Sequence, residues 1–96
     1  MMHDTDKELK IVIDTVQKHM DQYNFNFIKS EYTIDRIMGL EEKLIMAYLK
    51  EYLPDVEFFV DIFYIESDND MYAMIRKIYG GLSFKVSVSN WRLNDD

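Results

Sequence analysis

The chain has 96 residues, the length of one small domain, and its 18 Asp and Glu against 11 Lys and Arg give a formal net charge of −7. Its composition is 48% hydrophobic and 15% aromatic, which is too apolar for an intrinsically disordered chain. The absence of cysteine excludes disulfides, thiolate metal sites and a cysteine nucleophile. We therefore expect a single domain over residues 1–96, with its own hydrophobic core.

The start of the sequence lacks the basic residues and apolar run of a signal peptide. No apolar stretch approaches the ~18 residues that span a bilayer. We expect a cytoplasmic protein without a membrane partner.

A first helix is predicted over residues 5–23. Thr5 and Glu8 match a capping box, in which each side chain bonds the backbone amide at the other's position. Apolar residues then recur at steps of three and four, which lines one helical face. These residues are Leu9, Val12, Ile13, Val16, Met20 and Tyr23.

Residues 25–39 contain apolar side chains without a sustained period, and Gly39 is expected to interrupt any helix that begins before it. Helical spacing returns at residue 40, where Glu41 and Glu42 suit the positive end of a helix dipole. The sequence therefore predicts a second helix over residues 40–52 and leaves 25–39 unassigned.

Three strands are predicted after residue 55, where the apolar period changes from helical to alternating. They are expected over residues 56–66, 71–79 and 82–90, with a turn at Ser67–Asp70 and a two-residue loop at Gly80-Gly81. The predicted fold class is α+β, with both N-terminal helices packed on one face of a C-terminal three-stranded antiparallel meander.

Short loops fix the register of such a meander. The Gly80-Gly81 loop would place Ile75 opposite Val86, and a loop at Asp68-Asn69 would place Ile62 opposite Ile75. Both registers put the same apolar residues on the face expected to lie under the helices. These residues are Phe58, Val60, Ile62, Tyr64, Ala73, Ile75, Tyr79, Leu82, Phe84, Val86 and Val88.

The opposite face of the sheet is predicted to carry Asp61, Arg76 and Lys85 in one row, while Lys77 interrupts the apolar face and is expected to reach solvent at its rim. Half of the outer face is too apolar to be left in water. Its apolar residues are Phe59, Phe63, Ile65, Tyr72, Met74 and Ile78. Three readings stay open, in which residues 25–39, a second copy of the chain or a different partner covers this face.

The net charge comes from one segment. Residues 51–75 contain seven acids and no Lys or Arg, whereas the remaining 11 acids and 11 bases balance. The resulting negative potential disfavours direct nucleic-acid binding, because phosphates would be repelled. It suits a basic protein partner, whose approach it would steer. The competing interpretation is that the acidity serves solubility alone.

Residues with the chemistry of a catalytic or metal site are few. Glu66, Asp68 and Asp70 offer oxygen ligands, but they lack the order of an EF-hand loop and are interpreted as a solvated turn. His3 and His19 are the only imidazoles, and neither belongs to a nucleophile–base set. We therefore expect no catalytic residues, no metal, no cofactor and no enzymatic activity.

The sequence favours an acidic protein-binding module. The predicted partner-binding residues are Glu57, Phe59, Asp61, Phe63, Glu66, Asp68 and Asp70. The expected partner is a basic protein, such as a nucleic-acid-handling enzyme that the module inhibits by nucleic-acid mimicry. In general character the size and acidity resemble those of small accessory proteins of phages and mobile elements. The alternatives are a homo-oligomeric accessory subunit, such as a homodimer, and a small-molecule-binding domain or enzyme.

Overall fold

The computed structural model of the protein describes residues 4–79 and 81–95. Its helices are α1 (Asp4–Gln22) and α2 (Ile34–Tyr52), and its strands are β1 (Phe25–Ile28), β2 (Phe58–Ile65), β3 (Asp70–Lys77), β4 (Phe84–Ser87) and β5 (Trp91–Asn94). Strands β2, β3 and β4 form an antiparallel sheet in that order, and β1 pairs with β5 in a small parallel sheet. The predicted α+β fold is confirmed. The capping-box side chain of Thr5 lies outside the described side chains.

Helix α2 begins six residues before its predicted start. Thr33 caps it, because its hydroxyl oxygen accepts a hydrogen bond from the Arg36 amide at 3.2 Å. Ile37, in the first turns, is fully buried. The prediction that Gly39 interrupts the helix was wrong, since a glycine in a helix interior costs only about 1 kcal/mol relative to alanine. The cap and the burial of Ile37 outweigh that cost.

The register of the sheet differs from the predicted one by two residues at both hairpins. Ile62 faces Ala73 instead of Ile75, and Val86 also faces Ala73. The cause is longer loops: β3 follows β2 after four residues, and six residues separate β3 from β4. The predicted two-residue loop includes Gly80, which lies outside the described residues. Because side chains alternate with a period of two, the shift leaves the same residues on each face.

The core lies between the helices and the inner face of the sheet, with α2 against β2 and α1 against β4. Its fully or nearly fully buried residues include Leu9, Val16, Ile37, Ile45, Leu49, Phe58, Val60, Met71, Ala73, Ile75, Val86 and Val88. Tyr79 and Leu82 were predicted on this face but are 86% and 48% exposed. They lie in the connection after β3, where the chain has left the sheet.

Lys77 does not extend into solvent as predicted. Its ammonium nitrogen lies 3.0 Å from Asp6 Oδ1, and both side chains are largely buried. Gly81 packs directly on this ion pair with a φ of 90°, and a Cβ atom there would lie 2.9 Å from Asp6 Oδ1 and from Lys77 Cε. Glycine is therefore required at position 81 both for its backbone conformation and for the close approach.

The third strand of the meander ends earlier than predicted, at Ser87. The Gln17 side chain binds both backbone groups of Ser87: its oxygen accepts from the amide at 2.7 Å and its nitrogen donates to the carbonyl at 2.9 Å. Beyond Ser87 the chain turns, and Trp91 begins β5 with its indole nitrogen donating to the Val88 carbonyl at 2.9 Å. The β1–β5 pair was not predicted from the sequence.

Candidate protein-binding surface

The outer face of the sheet, which points away from the helices, is open. Phe59, Phe63 and Ile65 on this face are 43%, 44% and 39% exposed. Residues 25–39 do not cover it, because they form β1, which pairs with β5, and the first turns of α2. The reading in which this segment folds over the outer face is therefore wrong.

All seven predicted partner-binding residues are exposed. Phe59, Asp61 and Phe63 project from β2 onto the outer face, and Glu57 precedes the strand with the same parity. At a rise of about 3.3 Å per residue, Glu57 lies about 30 Å from Glu66 at the far end. That distance exceeds the Debye length of about 8 Å at physiological salt. The acids thus form two end clusters, Asp55 and Glu57 before β2 and Glu66, Asp68 and Asp70 at the turn after it, with Asp61 between them.

The turn between β2 and β3 holds the second acidic cluster in solvent. The Asp68 amide donates to the Ile65 carbonyl at 3.3 Å, and Asn69 adopts a φ of 53°. The Tyr64 hydroxyl donates to Asn69 Oδ1 at 2.8 Å, which ties the turn to the sheet. These bonds leave the carboxylates of Glu66 and Asp68 exposed and free of ion pairs with any described residue.

The charged row on the outer face differs from the predicted one. Asp61 faces Met74, which in turn faces Lys85, whereas Arg76 faces Phe59. The two-residue shift in register separates Asp61 from Arg76, so the predicted pairing of these two residues was wrong. The guanidinium of Arg76 instead lies 4.4 Å from the centre of the Phe59 ring.

Aromatic side chains form an ordered platform on the outer face. The Phe63 and Tyr72 rings stack at 5.2 Å with an interplanar angle of 18°, and the Lys85 ammonium lies 4.6 Å from the centre of the Tyr72 ring. Exposed cation–π contacts of this kind contribute about 0.5–1 kcal/mol each. Side chains that are already held in place lose less conformational entropy when a partner binds. The platform is thus suited to contact a partner without rearrangement.

A buried carboxyl group lies outside the predicted site. Glu41 is 2% exposed, and burial raises its pKa from 4.5 to about 7 against the opposing effect of a hydrogen bond from Asn90. With the Asn90 amide nitrogen turned toward it, the two carboxyl oxygens lie 2.8 and 3.1 Å from that nitrogen. Glu41 is four residues from both Ile37 and Ile45 in the buried stripe of α2. That spacing could have revealed the burial of Glu41. The predicted helix start at residue 40, however, placed Glu41 at the exposed end of the helix.

A second polar cluster joins the two helices. His19 Nε2 lies 3.2 Å from the Tyr52 hydroxyl, and the imidazole stacks on Tyr48 at 5.2 Å. Burial raises the pKa of the Tyr48 hydroxyl. In the described part of the chain, no three His, Asp or Glu side chains are close enough to hold a metal ion. His19, on α1, contacts Tyr48 and Tyr52 on α2 and so packs between the helices.

Comparison of the chain with protein-family models, with curated proteins and with solved structures gives no match in any of the three. No helix within residues 4–79 and 81–95 is long and apolar enough to cross a membrane. The surface is therefore interpreted from its own geometry, which is an aromatic platform flanked by two acidic clusters.

Proposed function

We propose that the protein is a non-enzymatic protein-binding module that engages a basic protein partner through the outer face of β2 and β3 and the turn that joins them. The observation that carries this proposal is the exposure of Phe59 and Phe63 on an uncovered sheet face between acidic clusters. Large exposed apolar side chains gathered on one face are typical of interaction surfaces. The acidic clusters would select a partner of opposite charge and accelerate its approach.

A groove that binds nucleic acid is the basic surface that we favour as the target. Such grooves present Lys and Arg toward phosphates, and carboxylates at the same places would satisfy those cations. The three acids of the Glu66–Asp70 segment and the acids near Glu57 would contact the rim of the groove, while Phe59 and Phe63 would contact its apolar parts. The protein would then act as a competitive inhibitor of nucleic-acid binding.

The decisive experiment compares two charge-reversal variants. One carries Lys in place of Glu66, Asp68 and Asp70, and its matched control carries Lys in place of three exposed acids elsewhere. The control positions are Glu8, Asp14 and Glu31. Both variants have a formal net charge of −1 instead of −7, so only the location of the change differs. Proteins captured from a nuclease-treated extract of the native host are identified for each variant and for the unmodified protein.

We expect basic proteins to be captured by the unmodified protein and by the control, and to be lost from the Glu66, Asp68 and Asp70 variant. Capture should weaken between about 0.1 M and about 1 M salt, as the Debye length falls from about 10 Å to about 3 Å. Equal capture by the two charge-reversal variants would refute the proposed surface. Circular dichroism checks that both variants fold. All six substituted side chains are exposed, and among them Asp14 makes a described ion pair, the solvent-exposed contact with Lys10.

A homo-oligomeric subunit is the second candidate, and the same exposed rings of Phe59 and Phe63 favour it. Arg76 and Lys85 lie over the Phe59 and Tyr72 rings, and these two cations would oppose a face-to-face dimer and a basic partner alike. Light scattering after size exclusion separates the two candidates. A monomer at all concentrations tested excludes the oligomer.

A further inference from the structure

Strand β2 has a free edge whose hydrogen-bonding groups can be identified. The Ile78 amide donates to the Glu57 carbonyl at 3.0 Å, which makes these two residues a hydrogen-bonded pair. Such pairs recur at every second residue of an antiparallel ladder. The N–H and C=O groups of the intervening residues therefore point away from β3. We call these residues, Phe58, Val60, Ile62 and Tyr64, the four edge residues.

The two edges of the sheet differ. At the β4 edge, the Gln17 side chain occupies both outward backbone groups of Ser87. At the β2 edge, no described strand lies beyond β2, which is eight residues long. A long edge strand with unpaired backbone groups is a template for pairing with another strand. The fold therefore leaves the β2 edge open and blocks the β4 edge at Ser87.

A groove runs between this open edge and α2. Its two segments have volumes of about 500 and 440 Å³, and they share Glu42, Val60 and Asp61, so they are continuous. The helix wall is formed by Asp35, Met38, Gly39, Glu42, Lys43, Met46, Ala47 and Lys50, and the strand wall by residues 58–63. A groove between a helix and an edge strand is the geometry in which extended peptides bind by adding a strand to a sheet.

Gly39 widens the groove. It lies within α2, where glycine is unfavourable, and a Cβ atom there would meet nothing within 4 Å. Packing within the protein therefore does not require glycine at this position. A side chain at position 39 would project into the open space of the groove segment beside Val60–Phe63.

The charge of one groove segment favours a basic occupant, whereas the other segment, beside Phe58–Asp61, has Lys43 and Lys50 together with Glu42 and Asp61. The segment beside Val60–Phe63 is lined by the acids Asp35, Glu42 and Asp61 and by no basic residue. A second copy of the chain would not suit it, because residues 55–70 contain six acids and no Lys or Arg. Pairing of β2 with a second β2 would set acids against acids. An extended segment with Lys or Arg would instead meet opposite charge.

We propose that a basic, extended segment of the partner pairs with the four edge residues as a fourth strand of the sheet. This inference rests on the proposed function and specifies how the partner is bound. Alternate side chains of the segment enter the groove toward Gly39 and Glu42, and the others lie beside Phe59, Asp61 and Phe63 on the outer face. Main-chain hydrogen bonds provide affinity, and the acids provide the preference for Lys and Arg.

The test uses peptides of about ten residues, the upper length of ordinary strands, selected from a randomised display library on the intact protein. Affinity is measured for the unmodified protein and for Gly39→Gln, which fills the groove. The control is Lys18→Gln, at an exposed position of α1 outside the groove. Hydrogen exchange is measured at the amides of the four edge residues with and without peptide. Peptides methylated at alternate backbone nitrogens provide a second test that needs no protein variant.

We expect selected peptides to be rich in Lys and Arg, to protect the four edge amides and to bind Gly39→Gln at least about tenfold more weakly, a change of 1.4 kcal/mol. Lys18→Gln should bind as the unmodified protein does. Methylation in one of the two alternating registers should abolish binding. Basic peptides that leave the edge amides unprotected, or that bind Gly39→Gln equally well, would refute the proposal of an added strand. They would not contradict the proposal of a basic partner.

Other outcomes bear on the proposed function itself. If the selected peptides are not enriched in Lys and Arg, or if none is enriched, both the added strand and the basic partner are overturned. If light scattering shows a dimer that Gly39→Gln dissociates, the groove belongs to a second copy of the chain, and the inference is overturned in favour of the oligomer.

Discussion

Replacement of Glu41 by Gln should make the protein more stable at neutral and alkaline pH and leave it nearly unchanged in acid. Glutamine has the shape of a protonated glutamic acid, so the variant keeps the packing around Asn90. What it removes is the ionisation of a carboxyl group that is 2% exposed. A buried carboxylate is unfavourable unless hydrogen bonds compensate for its lost hydration, and Asn90 offers one amide group.

The magnitude follows from the pKa. Below about pH 4.5 the carboxyl group is protonated in both the folded and the unfolded state, and its contribution is constant. As the pH rises, the unfolded chain releases this proton first, so the folded state binds more protons and the free energy of unfolding falls. The fall ends once the pH has passed the folded-state pKa of about 7. The rise from 4.5 to about 7 corresponds to about 3 kcal/mol.

The assay is urea unfolding of both proteins at intervals between about pH 4 and pH 8.5, around the two pKa values. The stability advantage of Glu41→Gln should grow by about 3 kcal/mol across this range. In a domain of this size that difference raises the melting temperature by about 10–20 °C at the alkaline end. Glu42→Gln is the matched control, since Glu42 is the next residue along the helix and is exposed. It should show no such growth.

The prediction fails if the difference between Glu41→Gln and the unmodified protein changes by less than about 1 kcal/mol over the same pH range. A direct check is the carboxyl carbon resonance of Glu41, which should titrate near pH 7. A midpoint near 4.5 would show that water reaches this carboxyl group in the folded protein.

Three further predictions follow from the backbone. Gly39→Ala should stabilise the protein by about 0.5–1 kcal/mol in urea unfolding, because it removes a helix-interior glycine without a steric clash. A destabilised variant would show that a Cβ atom at position 39 does clash with its surroundings. Gly81→Ala should destabilise the protein by about 1–3 kcal/mol, because alanine is strained at a φ of 90° and would displace the Lys77–Asp6 ion pair. Unchanged stability would show that the loop after β3 rearranges freely. In the free protein, amides of the four edge residues should exchange with deuterium faster than those of Phe59, Asp61 and Phe63, and uniform protection along β2 would contradict a free edge.

The sheet shows how far the sequence could be interpreted. The alternation after residue 55 identified which side chains face the helices, and this held although the register was wrong by two residues at each hairpin. A period of two distinguishes the faces of a strand but not a shift by two. Loop length decides that shift, and the Tyr64–Asn69 hydrogen bond that ties the longer turn to the sheet has no sequence signature.

The predicted partner-binding residues show a similar limit. Their exposure could be predicted, because Glu57, Asp61 and the acids of the turn are charged and Phe59 and Phe63 share the parity of Asp61. Which residues face one another across the strands depended on the register, so the contact of Arg76 with Phe59 was not foreseen. The groove beside β2 could not be foreseen either, because α2 was predicted to start after Gly39.

By itself, the sequence determined the composition of the fold: two amphipathic helices, an antiparallel sheet with one apolar face, and the segment that carries the excess negative charge. Local periodicity and charge suffice for these features, since each depends on residues close together in the chain. Only the tertiary structure decided that β1 pairs with β5, that Glu41 is buried against Asn90, and that β4 is blocked by Gln17 while β2 stays open. Each of these features joins residues from distant parts of the chain, and no local pattern encodes such contacts.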